Sequence, residues 1–202
     1  MNLPARGWQY ITEDIGNGRV RKTYNSWFEA YGVMLRDSFR HRRLPVIRFS
    51  RYYNEGKVAA ARSLARIKGL ELDKSLLGNP TLLNEYDYEQ DKIKPLSDFF
   101  KSVSVEEGKK VVDKFVLFNF DMMSKTLMEK NFNIADNYGL NISGNIILTD
   151  LGELCFKKEE IISQLKKRVW AAPDVVAHLP SEIKAYFVQQ MDVHFTNHTV
   201  ML

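Results

Sequence analysis

Asn137-Tyr-Gly-Leu-Asn-Ile-Ser-Gly-Asn-Ile-Ile-Leu-Thr-Asp150-Leu-Gly152 decides how this chain reads. Ile146-Ile-Leu-Thr is a β-prone run, Tyr138-Gly-Leu a second, and Ser143-Gly144 supplies a turn between them. The pattern predicts a tight β-hairpin that Asn137 enters and Asp150 leaves, which sets both residues at its open end. Magnesium prefers hard oxygen ligands and usually takes only one or two from protein, the rest coming from water and phosphate. A carboxylate and an amide oxygen converging beside a glycine turn meet that need. Asn and Asp also favour turns for purely structural reasons, so the hairpin alone leaves both readings open.

Upstream of the hairpin, Val112, Phe115, Val116, Met122, Met123 and Leu127 recur at helical spacing and predict a long amphipathic helix from about Val105 to Lys130. Its Phe and Met content reads as core. Before it, Leu96-Ser-Asp-Phe-Phe is expected to be a short helix capped by Ser97, and Lys94-Pro95 marks a boundary. Downstream, Ile161, Ile162, Leu165 and Val169 predict a helix from Lys158 to Trp170, and Pro180-Ser181-Glu182 starts another.

The N-terminal half reads differently. Trp8-Gln-Tyr-Ile-Thr12 and Arg19-Val-Arg-Lys-Thr-Tyr24 flank Asn17-Gly18, a strong hairpin signal. Tyr31-Gly-Val-Met-Leu-Arg36 is read as a third strand. Val58, Ala61, Leu64, Ala65 and Ile67 change the period to helical over Tyr53 to Leu70, with Gly69 as a plausible C-cap. Gly78-Asn-Pro80 breaks the chain before a strand at Thr81–Tyr88. The expected organisation is therefore α+β: residues 1–93 carry a small antiparallel sheet and one helix, and residues 94–202 the long helix, the hairpin and the terminal helices.

The composition is ordinary for a globular protein, at 45% hydrophobic and 27% charged over 202 residues. The absence of a long apolar run predicts no transmembrane helix, and the start lacks the apolar stretch of a signal peptide. The single cysteine, Cys155, excludes an internal disulfide and a cysteine-based zinc site. Together these point to the cytoplasm, with no membrane partner. The net charge of +4 is uneven: residues 1–70 hold 14 Lys/Arg against 5 Asp/Glu, and the remainder 15 against 20. A positive half and a negative half fit either a solvated basic face or a clamp for a polyanion and its metal ions.

In these motifs the chain resembles the protein-kinase-like superfamily. Asn137 and Asp150 stand 13 positions apart around a hairpin, like the catalytic-loop asparagine and the metal-binding aspartate, and Asp150-Leu151-Gly152 stands where Asp-Phe-Gly would. Ile15-Gly-Asn-Gly-Arg-Val-Arg-Lys-Thr-Tyr24 looks like a glycine-rich loop and its second strand, with Gly16 and Gly18 in place and Arg21 where a third glycine would be. Such a loop covers nucleotide phosphates with backbone N–H groups. Arg36 falls where the strand lysine belongs, with Lys22 a second candidate, and Glu55 where the helix glutamate belongs. The short length, the glycine-loop opening and the Asp-x-Gly-Glu exit are most similar to the YrbL-type PhoP regulatory network proteins, short bacterial kinase-like chains.

The resemblance implies a minimal bilobal fold, a magnesium-bound nucleotide such as ATP, Asn137 and Asp150 as metal ligands, and Gly16, Gly18, Lys22, Arg36 and Glu55 around the phosphates. It also implies a regulatory role, with a protein partner. The position of the catalytic aspartate, five before Asn137, is held by Phe132, and Asp136, next to Asn137 but out of register unless the loop is remodelled, is the acid offered for that part. Only 52 residues follow Asp150, too few for a full peptide-substrate platform. Weak or absent phosphotransfer is the expectation. The alternatives are a pseudokinase scaffold that binds a partner without nucleotide, or a polyanion-binding module built on Arg40-His-Arg-Arg43 and its neighbouring aromatic residues. Pro45 interrupts that run and no nucleic-acid fold signature accompanies it, so nucleic acid is the less favoured partner. His194 and His198, four apart, lack a third ligand.

Overall fold

The computed structural model describes residues 5–40 and 48–196. The chain is α+β with small antiparallel sheets, and it divides into two compact units. One comprises Met1–Lys92 with Leu151–Glu153, the other Ile93–Asp150 with Leu154–Leu202.

The first unit is built on a five-stranded antiparallel sheet. Its strands are β1 (Ala5–Arg6), β2 (Tyr10–Gly16), β3 (Arg19–Tyr24), β4 (Thr81–Leu82) and β5 (Tyr88–Asp91), in the order β1-β2-β3-β5-β4. The β2–β3 hairpin turns where Asn17-Gly18 predicted it. Gly16, Asn17 and Gly18 all take positive φ (83°, 52° and 70°), conformations that glycine and asparagine adopt at least cost.

Tyr31–Arg36 is not a strand but part of α1 (Trp27–Arg40). Trp27, Ala30, Tyr31 and Met34 stand at helical spacing and pack with Phe49 and Tyr53, so burial on a 3.6-residue period overrides the β-prone composition. The local signal is Ser26-x-x-Glu29. The Glu29 carboxylate accepts from the Ser26 N–H and hydroxyl, and the Glu29 N–H donates to Ser26 Oγ, a complete capping box. Helix α2 (Phe49–Gly69) starts four residues before the expected Tyr53, and Gly69 is its last residue, Leu70 being the cap. Thr81–Tyr88 is two strands rather than one. Asn84 Oδ1 accepts from the N–H groups of Tyr86 and Asp87, folding the middle of the run into a turn between β4 and β5.

In the second unit, β6 (Lys94–Pro95) leads into α3 (Leu96–Phe100) and α4 (Val105–Ser124). Ser97 does not cap α3, whose N-cap is Pro95; the Ser97 N–H donates instead to the Ala135 carbonyl. Ser104 and Glu107 form the capping box of α4. That helix ends at Ser124 rather than Lys130, because Thr126 takes a positive φ and Met128–Glu129 becomes strand β7.

The predicted hairpin is present as β8 (Tyr138–Leu140) and β9 (Ile146–Leu148), with Tyr138 opposite Leu148. It forms one sheet in the order β6-β8-β9, while β10 (Leu154–Cys155) pairs with β7. Gly139 is required by close approach, since a Cβ there would stand 2.4 Å from Ile93 Cγ2 and 2.5 Å from the Lys94 carbonyl. Helix α5 (Lys158–Lys166) stops before Trp170, and α6 (Ser181–Met191) packs along α4. The core between these helices is aromatic, with Phe115, Phe132, Phe187, Trp170 and Phe195 all fully buried. No helix among the described residues is long and apolar enough to cross a membrane.

Candidate metal centre

The hairpin sets Asn137 and Asp150 side by side. The Asn137 carbonyl accepts from the N–H of Thr149 at 2.8 Å and of Asp150 at 3.3 Å, and the Asn137 N–H donates to Asn133 at 3.0 Å. Both side chains are half-buried. Backbone ladder bonds therefore fix the spacing of the two residues, independently of any bond between their side chains.

A third residue, and the second acid, joins them without having been expected from the sequence. Glu129, on β7, is only 2% exposed. Its carboxylate accepts from the N–H groups of Asn131 (3.1 Å) and Asn133 (2.9 Å), which pins the loop leading to Asn137. Burial pushes this carboxyl up to about 7; the two N–H bonds and the Asn137 side chain oppose the rise, and the Asp150 charge adds to it. The available signal was a glutamate next to Leu127-Met128, where two apolar neighbours place the chain in the core.

Among the described residues, no group of three or more His, Cys, Asp or Glu side chains is placed to hold a metal. What is present is a pair of hard oxygen donors with a buried carboxylate beside them. That donor set suits magnesium carried on a phosphate better than a closed all-protein cage.

The other expected residues fall as follows. Phe132 is fully buried with φ +54°, its ring among those of Phe115, Trp170 and Phe195. Asp136 is exposed, and its carboxylate is engaged by His178 Nδ1 at 2.9 Å and by the Asn133 side-chain amide at 3.3 Å. Cys155 is buried on β10. His194 lies in a π-helical turn, with its ring 5.9 Å from that of Phe120, and His198 lies outside the described residues.

In the first unit, Gly16 and Gly18 form the exposed β2–β3 turn. The Gly16 N–H donates to Asp14 Oδ1, and Lys92 ties that carboxylate to the end of β5 at 2.6 Å, lowering its pKa. At least one N–H of the glycine turn is thus committed within the protein. Arg21 pairs with Glu89 at 2.8 Å. Lys22 lies on β3 opposite Thr12 and Tyr88, its ammonium 5.8 Å from the Tyr88 ring centre.

Arg36 is on the exposed side of α1, not at a strand end, so the expected strand-to-helix ion pair loses its geometric basis. Glu55 pairs instead with Arg51, one turn earlier on α2, at 2.7 Å. Within the same unit, the Leu151 N–H donates to Tyr88 Oη (3.2 Å), and Glu153 accepts from Gln9 (3.0 Å). The turn after Asp150 is therefore anchored. Of the basic run Arg40-His-Arg-Arg43, residues 41–43 lie outside the described residues.

Compared with models of known protein families and with characterised proteins, the chain matches none.

Proposed function

We propose that this chain is a kinase-like regulatory protein that binds a nucleotide through magnesium, with Asn137 and Asp150 as the protein's ligands to the cation. The finer architecture that goes with this reading is a minimal bilobal kinase-like fold. The observation that supports it most is the backbone coupling of Asn137 to Asp150, which holds an amide and a carboxylate together at the open end of one hairpin. Magnesium bound there supplies charge neutralisation for a phosphate chain; the protein's own part is to hold two oxygens at fixed spacing and to stiffen the preceding loop through Glu129.

Phosphotransfer is weak or absent in this reading. The position five before Asn137 is a core phenylalanine, and Asp136 is turned to His178. Charge stabilisation and positioning account for most phosphoryl-transfer catalysis, so loss of the base lowers turnover without removing binding. Thermal unfolding with ATP, ADP or GTP in magnesium tests the proposal, since a ligand that binds only the folded chain raises its stability by about 2.7 kcal/mol at a hundredfold excess over Kd. Asp150→Ala is expected to remove the shift. No shift with any of the three nucleotides contradicts the proposal.

A further inference from the structure

A cavity of about 610 Å³ lies within the first unit, between α2 and the β4–β5 turn, with no part in the cation site. Its size falls in the range of about 300–1,000 Å³ typical of small-ligand sites. Leu64 and Ile67, 1% and 3% exposed, are among the lining residues from α2, and Leu82 at the end of β4 and Leu83 at the start of the turn line the other side. Leu83 keeps 46% of its surface exposed. A leucine held half in water beside an apolar depression is surface that a ligand can cover.

The polar part of the lining is Lys68, Lys74, Thr81, Asn84 and Glu85, with two cations against one anion. Lys68 lies in the last turn of α2. Lys74 opens the one-turn 3₁₀ helix Lys74–Leu77, which Asp73 caps by accepting from the Ser75 N–H and which the left-handed Gly78 closes. Both lysines line the cavity on backbone that is already ordered. Among the described residues neither ammonium has a hydrogen bond or an ion pair, in contrast to Lys92, Lys101, Lys109 and Lys125. Glu85 is the one acid of the lining, against two lysines, which leaves it a charge of +1. Apolar walls of bounded volume with a small cationic excess match a short amphiphile with an anionic head.

We propose that this cavity binds a medium-chain aliphatic carboxylate, its chain against Leu64, Ile67, Leu82 and Leu83 and its carboxylate at Lys68 and Lys74. The test is isothermal titration of the whole chain with sodium decanoate, below its micelle concentration, and with decyltrimethylammonium as the charge-inverted control. Decanoate is expected to bind one to one, about tenfold or more tightly than the cation. The Lys68→Glu/Lys74→Glu double variant is expected to lose at least about tenfold in decanoate affinity. Ala65→Trp, at an exposed lining position, intrudes on the cavity and is expected to lower decanoate affinity at least about tenfold. If that variant does not fold, Leu83→Asp on the exposed rim gives the same readout. No binding to the folded wild-type chain overturns the proposal, as does equal affinity for decanoate and the cation. Unchanged affinity in the folded Ala65→Trp or Leu83→Asp chain also overturns it. Sedimentation showing a dimer that Ala65→Trp dissociates and decanoate does not would assign the face to a second copy and overturn it as well.

Discussion

Replacing Glu129 by glutamine separates the charge of this buried group from its hydrogen bonds. The folded chain holds the carboxyl up at about 7 against an ordinary 4.5, so it binds the proton more tightly than the unfolded chain does. The consequence has a definite sign: no penalty applies below the unfolded pKa, stability falls as pH rises from there, and the loss levels off above the folded pKa. A displacement of this size corresponds to a loss of about 2–3 kcal/mol between roughly pH 5 and pH 8. Glutamine lacks that loss, but its amide nitrogen cannot accept, whereas in either protonation state both carboxyl oxygens face the N–H groups of Asn131 and Asn133. Leaving one of them unpaired costs about 1–3 kcal/mol.

Glu129→Gln is therefore expected to be the less stable chain at low pH, and to draw level with wild type, or pass it, above neutrality. Urea unfolding of both chains across this pH range, with chelator present to exclude bound cations, gives the difference free of other titrating groups. A difference that stays constant with pH, or that grows in favour of wild type, refutes the assignment of Glu129 as a buried carboxylate protonated near neutrality.

Phe132→Asp places an aspartate where the kinase-like reading expects a base, but is expected to destabilise the chain by about 3–5 kcal/mol without conferring phosphotransfer, because it buries an unpaired charge among aromatic rings; a melting curve and a phosphotransfer assay check both halves. Gly139→Ala drives a Cβ to 2.4 Å from Ile93 and 2.5 Å from the Lys94 carbonyl, and is expected to lower stability by about 1–3 kcal/mol in chemical denaturation. Ser104→Ala removes the α4 capping box at a cost of about 1 kcal/mol, and Ser26→Ala, read in the same denaturation assay, is expected to cost a similar amount at α1.

How far the sequence could be read depended on the range of the determining interactions. The β2–β3 turn and the β8–β9 hairpin were legible because Asn17-Gly18 and Ser143-Gly144 are local signals flanked by β-prone residues. Helix α1 reads as strand because its aromatic residues and Val33 suit one, while the packing of Tyr31 and Met34 against Ala30, Phe49 and Tyr53 is a tertiary fact. The Ser26–Glu29 box was the local clue that should have outweighed composition. At the candidate site, Asn137 and Asp150 were found from spacing. Glu129 was not: Leu127 and Met128 mark the chain there as core, but only the pairing of β10 with β7 encloses the carboxylate itself. Arg36 was assigned from a count along the chain that assumed a strand where a helix stands.

Titration calorimetry of Mg-ATP into wild type and into Asp150→Ala tests the central assignment most directly. The cation-site reading predicts saturable binding to wild type that depends on magnesium and is lost in Asp150→Ala, which retains its fold. Binding that is indifferent to magnesium, or equal in the two chains, contradicts it.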